Sequence, residues 1–142
     1  MITAVDTCVL LDVFTADTTF GPASRDSLGA CLARGTVLVS AVVWAETSAF
    51  FPEPDSAEAA MDTLGAAFSP LERRSADRAG QAWRNYRKRG GSRQRVVADF
   101  LIGAHASLQA DRLLTRDRGF YRSYFPDLMV VEPTIGSPRA ND

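Results

Sequence analysis

Short apolar runs alternate with longer amphipathic stretches along this chain. Residues 2–5 (ITAV), 36–39 (TVLV), 113–115 (LLT) and 129–131 (MVV) read as strands, with a further extended piece over residues 68–71. The first is apolar on both faces, as strands of parallel sheets tend to be. Between these runs the period lengthens to that of helices. Thr7 opens a helical turn carrying Leu10, Leu11, Val13 and Phe14, and residues 22–34 suit a helix closed by Gly35. Ser40 is a credible N-cap for a helix to Phe51, stopped by Pro52 and Pro54. Asp55 with Glu58 resembles a capping box ahead of a helix over residues 59–67. Residues 75–89 form a helix stopped by Gly90-Gly91. Residues 96–110 form a buried helix, with Val97, Leu101, Ala104 and Leu108 on one stripe. Strands alternating with helices imply an α/β fold, a three-layer α/β/α sandwich around a central, mostly parallel sheet. That architecture places ligands at the carboxyl ends of its strands.

A chain of 142 residues fits one domain with a real core, here residues 1–133, followed by a tail over 134–142 read as disordered. No apolar run reaches membrane-spanning length, and MITAVDTC lacks the basic start of a signal peptide, so a cytoplasmic location is expected. Cys8 and Cys31 are too few for a disulfide framework or a zinc cluster and read as free thiols, Cys8 packed. The net charge of −1 conceals a division. Residues 1–72 carry ten acids and two bases, a balance of −8, whereas residues 73–122 carry thirteen bases and four acids, a balance of +9. Such a chain can present a positive face to phosphate; the plainer reading is that Arg73 to Arg95 is the solvated face of a helix.

Four acids sit where packing alone does not explain a carboxylate. Asp6 ends the first apolar run, Glu46 interrupts the greasy stretch 41–51, Asp99 lies inside VVADFLIGAHA, and Asp117 follows the strand 113–115. By the strand-end rule all four can converge on one edge of the sheet. Like charges about 4 Å apart repel by roughly 4 kcal/mol per pair at an effective dielectric of about 20, so a cluster of four needs a cation. Oxygen-only ligands favour Mg²⁺ or Mn²⁺ over zinc. A hard ion that keeps some of its waters suits hydrolysis of a phosphodiester without a protein nucleophile.

The segments around these acids, AVDTCVLLD, WAET, VVADFLIGAHA and LLTRDRGFY, resemble the PIN-domain family, and most closely the VapC-type toxins of toxin–antitoxin pairs. The resemblance runs from Ile2 to about Glu132, with DFLIGAHA followed by LLTRDRGF its most specific part. It implies a metal-dependent endoribonuclease in which Asp6 and Asp99 are the main metal ligands. Glu46 and Asp117 would complete the cluster, with the Thr115 hydroxyl holding a metal-bound water or orienting Asp117. It further implies products with 5′-phosphate and 3′-hydroxyl ends, a homodimer, and a VapB-type antitoxin whose C-terminal segment brings an arginine into the acidic groove.

Each residue also has a plainer role. Asp6 and Asp117 can serve as helix N-caps, Glu46 can pair with an arginine, and Asp99 can gain from the helix dipole. Asp12 is expected to face an arginine or cap a turn, and His105, the only histidine, to be packed away from the acids. Trp44, Trp83 and Tyr86 could stack on bases, though aromatics at helical spacing are more often core or interface, and Arg93 and Arg95 read as RNA or partner contacts. Two other classes stand beside the nuclease. One is a non-catalytic module whose acidic groove binds an arginine-bearing peptide. The other is a phosphatase or receiver-like domain, disfavoured because position 8 is Cys and the only lysine is Lys88.

Overall fold

The structure, a computed structural model, describes residues 1–92 and 95–134. Arg93 and the expected tail from Ile135 onward lie outside the described residues. Five parallel strands, β1 (Ile2–Val5), β2 (Thr36–Ser40), β3 (Ala67–Ser69), β4 (Arg112–Leu114) and β5 (Met129–Val131), form one sheet in the order β3-β2-β1-β4-β5. The helices are α1 (Thr7–Phe14), α2 (Gly21–Arg34), α3 (Ala41–Ser48), α4 (Pro54–Leu64), α5 (Arg73–Lys88), α6 (Val97–Gln109) and α7 (Arg118–Tyr124). The architecture is the expected α/β/α sandwich.

The connections explain where a site must lie. From β1 the chain steps outward to β2 and then β3, and then it crosses back over β1 to β4. Right-handed crossovers therefore put α1–α4 on one face and α5–α7 on the other. Packing agrees: α1 lies on α2 and α3, and α5 lies along α6. The direction of travel reverses between the neighbours β1 and β4, which splits the chain at their carboxyl ends into a crevice.

Three local expectations are corrected. Helix α4 begins at Pro54, not at residue 59, because proline suits the first helical turn; Glu53 is its N-cap and no Asp55–Glu58 capping box forms there. Residues 68–71 yield only Phe68 and Ser69 to an edge strand that begins one residue earlier, at Ala67. In α6 the expected stripe does not hold. Val97 is 39% exposed, while Phe100, Ile102, Gly103, Ala104, His105 and Ala106 are all buried, so the middle of this helix is enclosed almost all round. The core joins Val5, Val9 and Leu10 to Val37, Val39, Phe100, Leu113, Leu114 and Phe125.

Candidate metal and nuclease site

The register of the two central strands builds the floor of the crevice. Val5 pairs with Leu114, so the next residues, Asp6 and Thr115, emerge side by side. The Thr115 hydroxyl donates to Asp6 Oδ2 at 2.7 Å and accepts from the Asp117 backbone N–H at 3.0 Å. One hydroxyl thus ties the end of β1 to the turn after β4. Asp6 is also the N-cap of α1: its Oδ1 accepts from the Thr7 N–H at 2.8 Å. The Tyr121 phenol of α7 donates to Oδ2 at 3.2 Å. Both Thr115 and Tyr121 are buried, and so is Asp6, at 8% exposure.

The other acids reach this centre through one intermediary each. Glu46, exposed on α3, accepts from the Thr7 hydroxyl at 2.8 Å and raises the proton affinity of Asp6 through its charge. Asp99, in the first turn of α6, accepts from the Val96 N–H at 3.3 Å and lies within electrostatic reach of Tyr121. Asp117 is held by Arg95, whose guanidinium forks onto both carboxylate oxygens at 2.5 and 3.2 Å. Arg95 also stacks on the Phe120 ring at 4.3 Å and feels the charge of Asp99.

Among the described residues no three His, Cys, Asp or Glu side chains stand close enough together to hold an ion as they are. The four acids are linked around the carboxyl ends of β1 and β4 through Thr7, Thr115, Tyr121 and Arg95, without forming a closed cage. Their chemistry nonetheless fits a hard cation. Burial pushes the Asp6 carboxyl above its usual range despite three donors, and among the described residues no basic side chain pairs with it. Those donors use three of the roughly four lone-pair directions of a carboxylate, which leaves one on Oδ1. Burial together with the neighbouring Asp6 also drives the Tyr121 phenol far above its ordinary value, so it stays a donor at any working pH.

Two residues stand at this site without having been expected there. Tyr121 carries no local signal, since only the packing of α7 aims it at Asp6. Thr7, which bonds Glu46, is visible in the sequence only as a helix opener. The plainer expectations are met elsewhere. Asp12 faces Arg116, with bonds at 2.8 and 3.0 Å, and accepts from Ser24 at 2.7 Å; Arg116 covers the Phe20 ring. His105 is buried against the Ser69 hydroxyl, and burial lowers its pKa. Cys31 is buried and Cys8 half-buried, both free, with the Cys8 thiol pushed up to about 11 by burial.

The same fold occurs in VapBC2 from Rickettsia felis bound to a promoter DNA fragment, with a TM-score of 0.72 and 16% identity over 93% of this chain and 98% of that one. A toxin–antitoxin complex from Klebsiella pneumoniae matches with a TM-score of 0.69 and 20% identity, over 94% and 99%. VapC20 from Mycobacterium tuberculosis, a sarcin–ricin loop cleaving toxin, matches with a TM-score of 0.57 and 18% identity, over 89% and 98%. At such identities the likeness is one of fold. No curated protein matches the sequence. The family model of the PIN domain matches residues 3–126, and with the crevice acids in place the chain belongs to the PIN-domain family.

Proposed function

We propose that residues 1–133 act as a Mg²⁺- or Mn²⁺-dependent endoribonuclease, the toxin of a VapC-type toxin–antitoxin pair. The observation that carries this is Asp6: a buried carboxylate with no basic partner among the described residues, at the strand-reversal crevice of a PIN domain and beside Glu46. Similar folds described as toxins, one of them cleaving the sarcin–ricin loop, support RNA as the substrate.

Asp6 and Asp99 would hold the ion first. Glu46 would turn from the Thr7 hydroxyl, and Asp117 from Arg95, to complete the set. A bound hard cation supplies polarisation of the phosphoryl group and a lowered pKa for attacking water. Within the chain, Thr115 and Tyr121 keep Asp6 oriented by donating to it, so its free lone pair faces the crevice. The Arg95 fork keeps Asp117 neutralised until substrate arrives. An antitoxin arginine would find the same carboxylates, and the reading includes a homodimer.

The fork of Arg95 on Asp117 also favours a second reading, since it demonstrates that this acidic edge accepts a guanidinium. In that reading the crevice is a non-catalytic receptor for an arginine-bearing peptide. Incubation of purified protein with total cellular RNA in Mg²⁺, Mn²⁺ or chelator, beside Asp99→Asn, separates the two. Metal-dependent cleavage that falls at least about 100-fold in the variant is expected. Equal cleavage by both proteins refutes the site, and no cleavage with no metal bound leaves the peptide receptor.

A further inference from the structure

A cleft of about 550 Å³ lies between the second half of α5 and the start of α6, lined by Trp83, Tyr86, Arg87, Arg95, Val96 and Val97. Its size falls in the roughly 300–1,000 Å³ range of ligand clefts. Its position matters more: the Arg95 that lines it is the Arg95 that forks onto Asp117, so the cleft borders the acidic residues through this side chain.

The cleft is a built feature. Tyr86 donates to the Ser92 carbonyl, and the Gly91 N–H returns a bond to the Tyr86 carbonyl at 2.9 Å. Gly91 approaches so closely that a Cβ there would stand 2.5 Å from the Tyr86 ring. The start of the connection is therefore pinned to α5. On the walls, Trp83 is half-buried with the Arg87 guanidinium 5.7 Å from its ring, and Val96 and Val97 are 55% and 39% exposed. Beside it, Arg84 and Lys88 line a second hollow that shares Trp83 and Arg87 with the cleft, so three exposed cations from the last turns of α5 flank Trp83.

We propose that this cleft seats a segment of single-stranded RNA next to the scissile phosphate, with a base on Trp83 and phosphates on Arg87 and Arg95. An aromatic face with apolar walls takes a base of any identity, and guanidiniums along the rim follow the backbone. The rim is cationic and the crevice acidic, so a strand laid in the cleft is attracted along its length and halted where the acids need a cation. Arg95 would exchange the Asp117 carboxylate for a substrate phosphate, and that exchange releases Asp117 as substrate arrives. The proposal rests on the nuclease reading and adds where the substrate lies.

The test uses an end-labelled 12-nucleotide RNA of random sequence, bound to the Asp99→Asn protein and followed by fluorescence anisotropy. Arg87→Gln, an exposed position that leaves the fold alone, is expected to weaken binding about tenfold and to shrink the salt slope by about 0.7. Arg73→Gln, exposed at the far end of α5, is expected to bind like its parent. Trp44→Phe leaves Trp83 as the only tryptophan, and its emission should be quenched as RNA saturates. Unchanged affinity in Arg87→Gln with unchanged Trp83 emission at saturation overturns the proposal. So does a variant that binds RNA normally but loses its dimer, which would assign the cleft to a second copy of the chain. The nuclease reading fails separately. If RNA binds in the cleft while the unmodified protein shows no metal-dependent cleavage, the cleft stands and catalysis falls.

Discussion

A carboxylate buried like Asp6 sets a sign for the effect of pH. Its raised pKa means the folded, metal-free protein holds that proton more tightly than the unfolded chain does, whose value is near 3.8. The resulting stability is complete below the unfolded value and drains as pH rises through the raised folded one. Asp6→Asn removes the titration and keeps the N-cap, because asparagine caps as well as aspartate, and the Thr115 and Tyr121 hydroxyls can each accept as well as donate. Thermal midpoints of chelated protein between pH 4 and pH 8 should therefore rise in the variant relative to its parent as pH increases, by a few degrees at the upper end. Mg²⁺ should raise the midpoint of the parent and not of the variant. A difference between the two that stays constant with pH would count against this account of Asp6. Arg95 makes the complementary case. Its guanidinium competes for Asp117, so Arg95→Gln should bind Mn²⁺ several-fold more tightly in calorimetry; weaker binding would mean that Arg95 positions Asp117 for the ion.

The four acids stood out at this scale because each lies within or just after an apolar run, while their present partners did not. Arg95 and Asp117 are distant in the chain, and nothing in either segment announces a fork between them. Tyr121 is hidden in the same way, as one aromatic among several in GFYRSYF.

At the scale of elements, the strands and the parallel order could be read because apolar runs of three to five residues, separated by helices, leave few alternatives. Element ends were harder. Pro54 begins a helix instead of ending the preceding one, and α6 is enclosed by α5 on one side and by the rings of α7 beyond, which erases the one-sided stripe. That enclosure bears on the site. Phe100 meets Phe120 at 5.2 Å and Tyr86 at 5.4 Å, and a Cβ on Gly103 would lie 2.3 Å from the Phe125 ring. The close approach of α6 to the end of α7 is thus what allows Tyr121 to reach Asp6. Gly103→Ala should push Phe125 and α7 outward and cost about 1–3 kcal/mol in denaturant unfolding, the usual penalty for overpacking a core. Metal affinity should fall with it, because Asp6 loses its phenol donor. A variant that loses stability and keeps full metal affinity would show that α7 does not position the acid.

Across the whole molecule the division of charge falls between the parts of the proposed site. Residues 1–72, at −8, supply Asp6 and Glu46; residues 73–122, at +9, supply the arginine rim together with Asp99 and Asp117. From the sequence alone an RNA surface and a solvated helix face stay open, because the choice depends on what the end of α5 faces; in the fold it shares a cleft with Arg95, the residue that holds Asp117. Substrate approaching along the rim meets carboxylates that repel its phosphate unless a cation lies between them. Metal should consequently strengthen RNA binding as well as permit cleavage. Ca²⁺ is the informative probe, since it is a hard oxygen-seeking ion whose larger, looser coordination suits binding better than in-line attack. In the unmodified protein Ca²⁺ should tighten binding of a random 12-nucleotide RNA several-fold over chelator at constant ionic strength. In Asp6→Asn the same addition should change little. Affinity in both proteins should fall steeply as salt rises, because the arginine rim acts by releasing counterions from the strand. Equal RNA affinity with Ca²⁺ and with chelator in the unmodified protein would mean that the acids do not face the bound phosphate, and the rim alone would then account for binding.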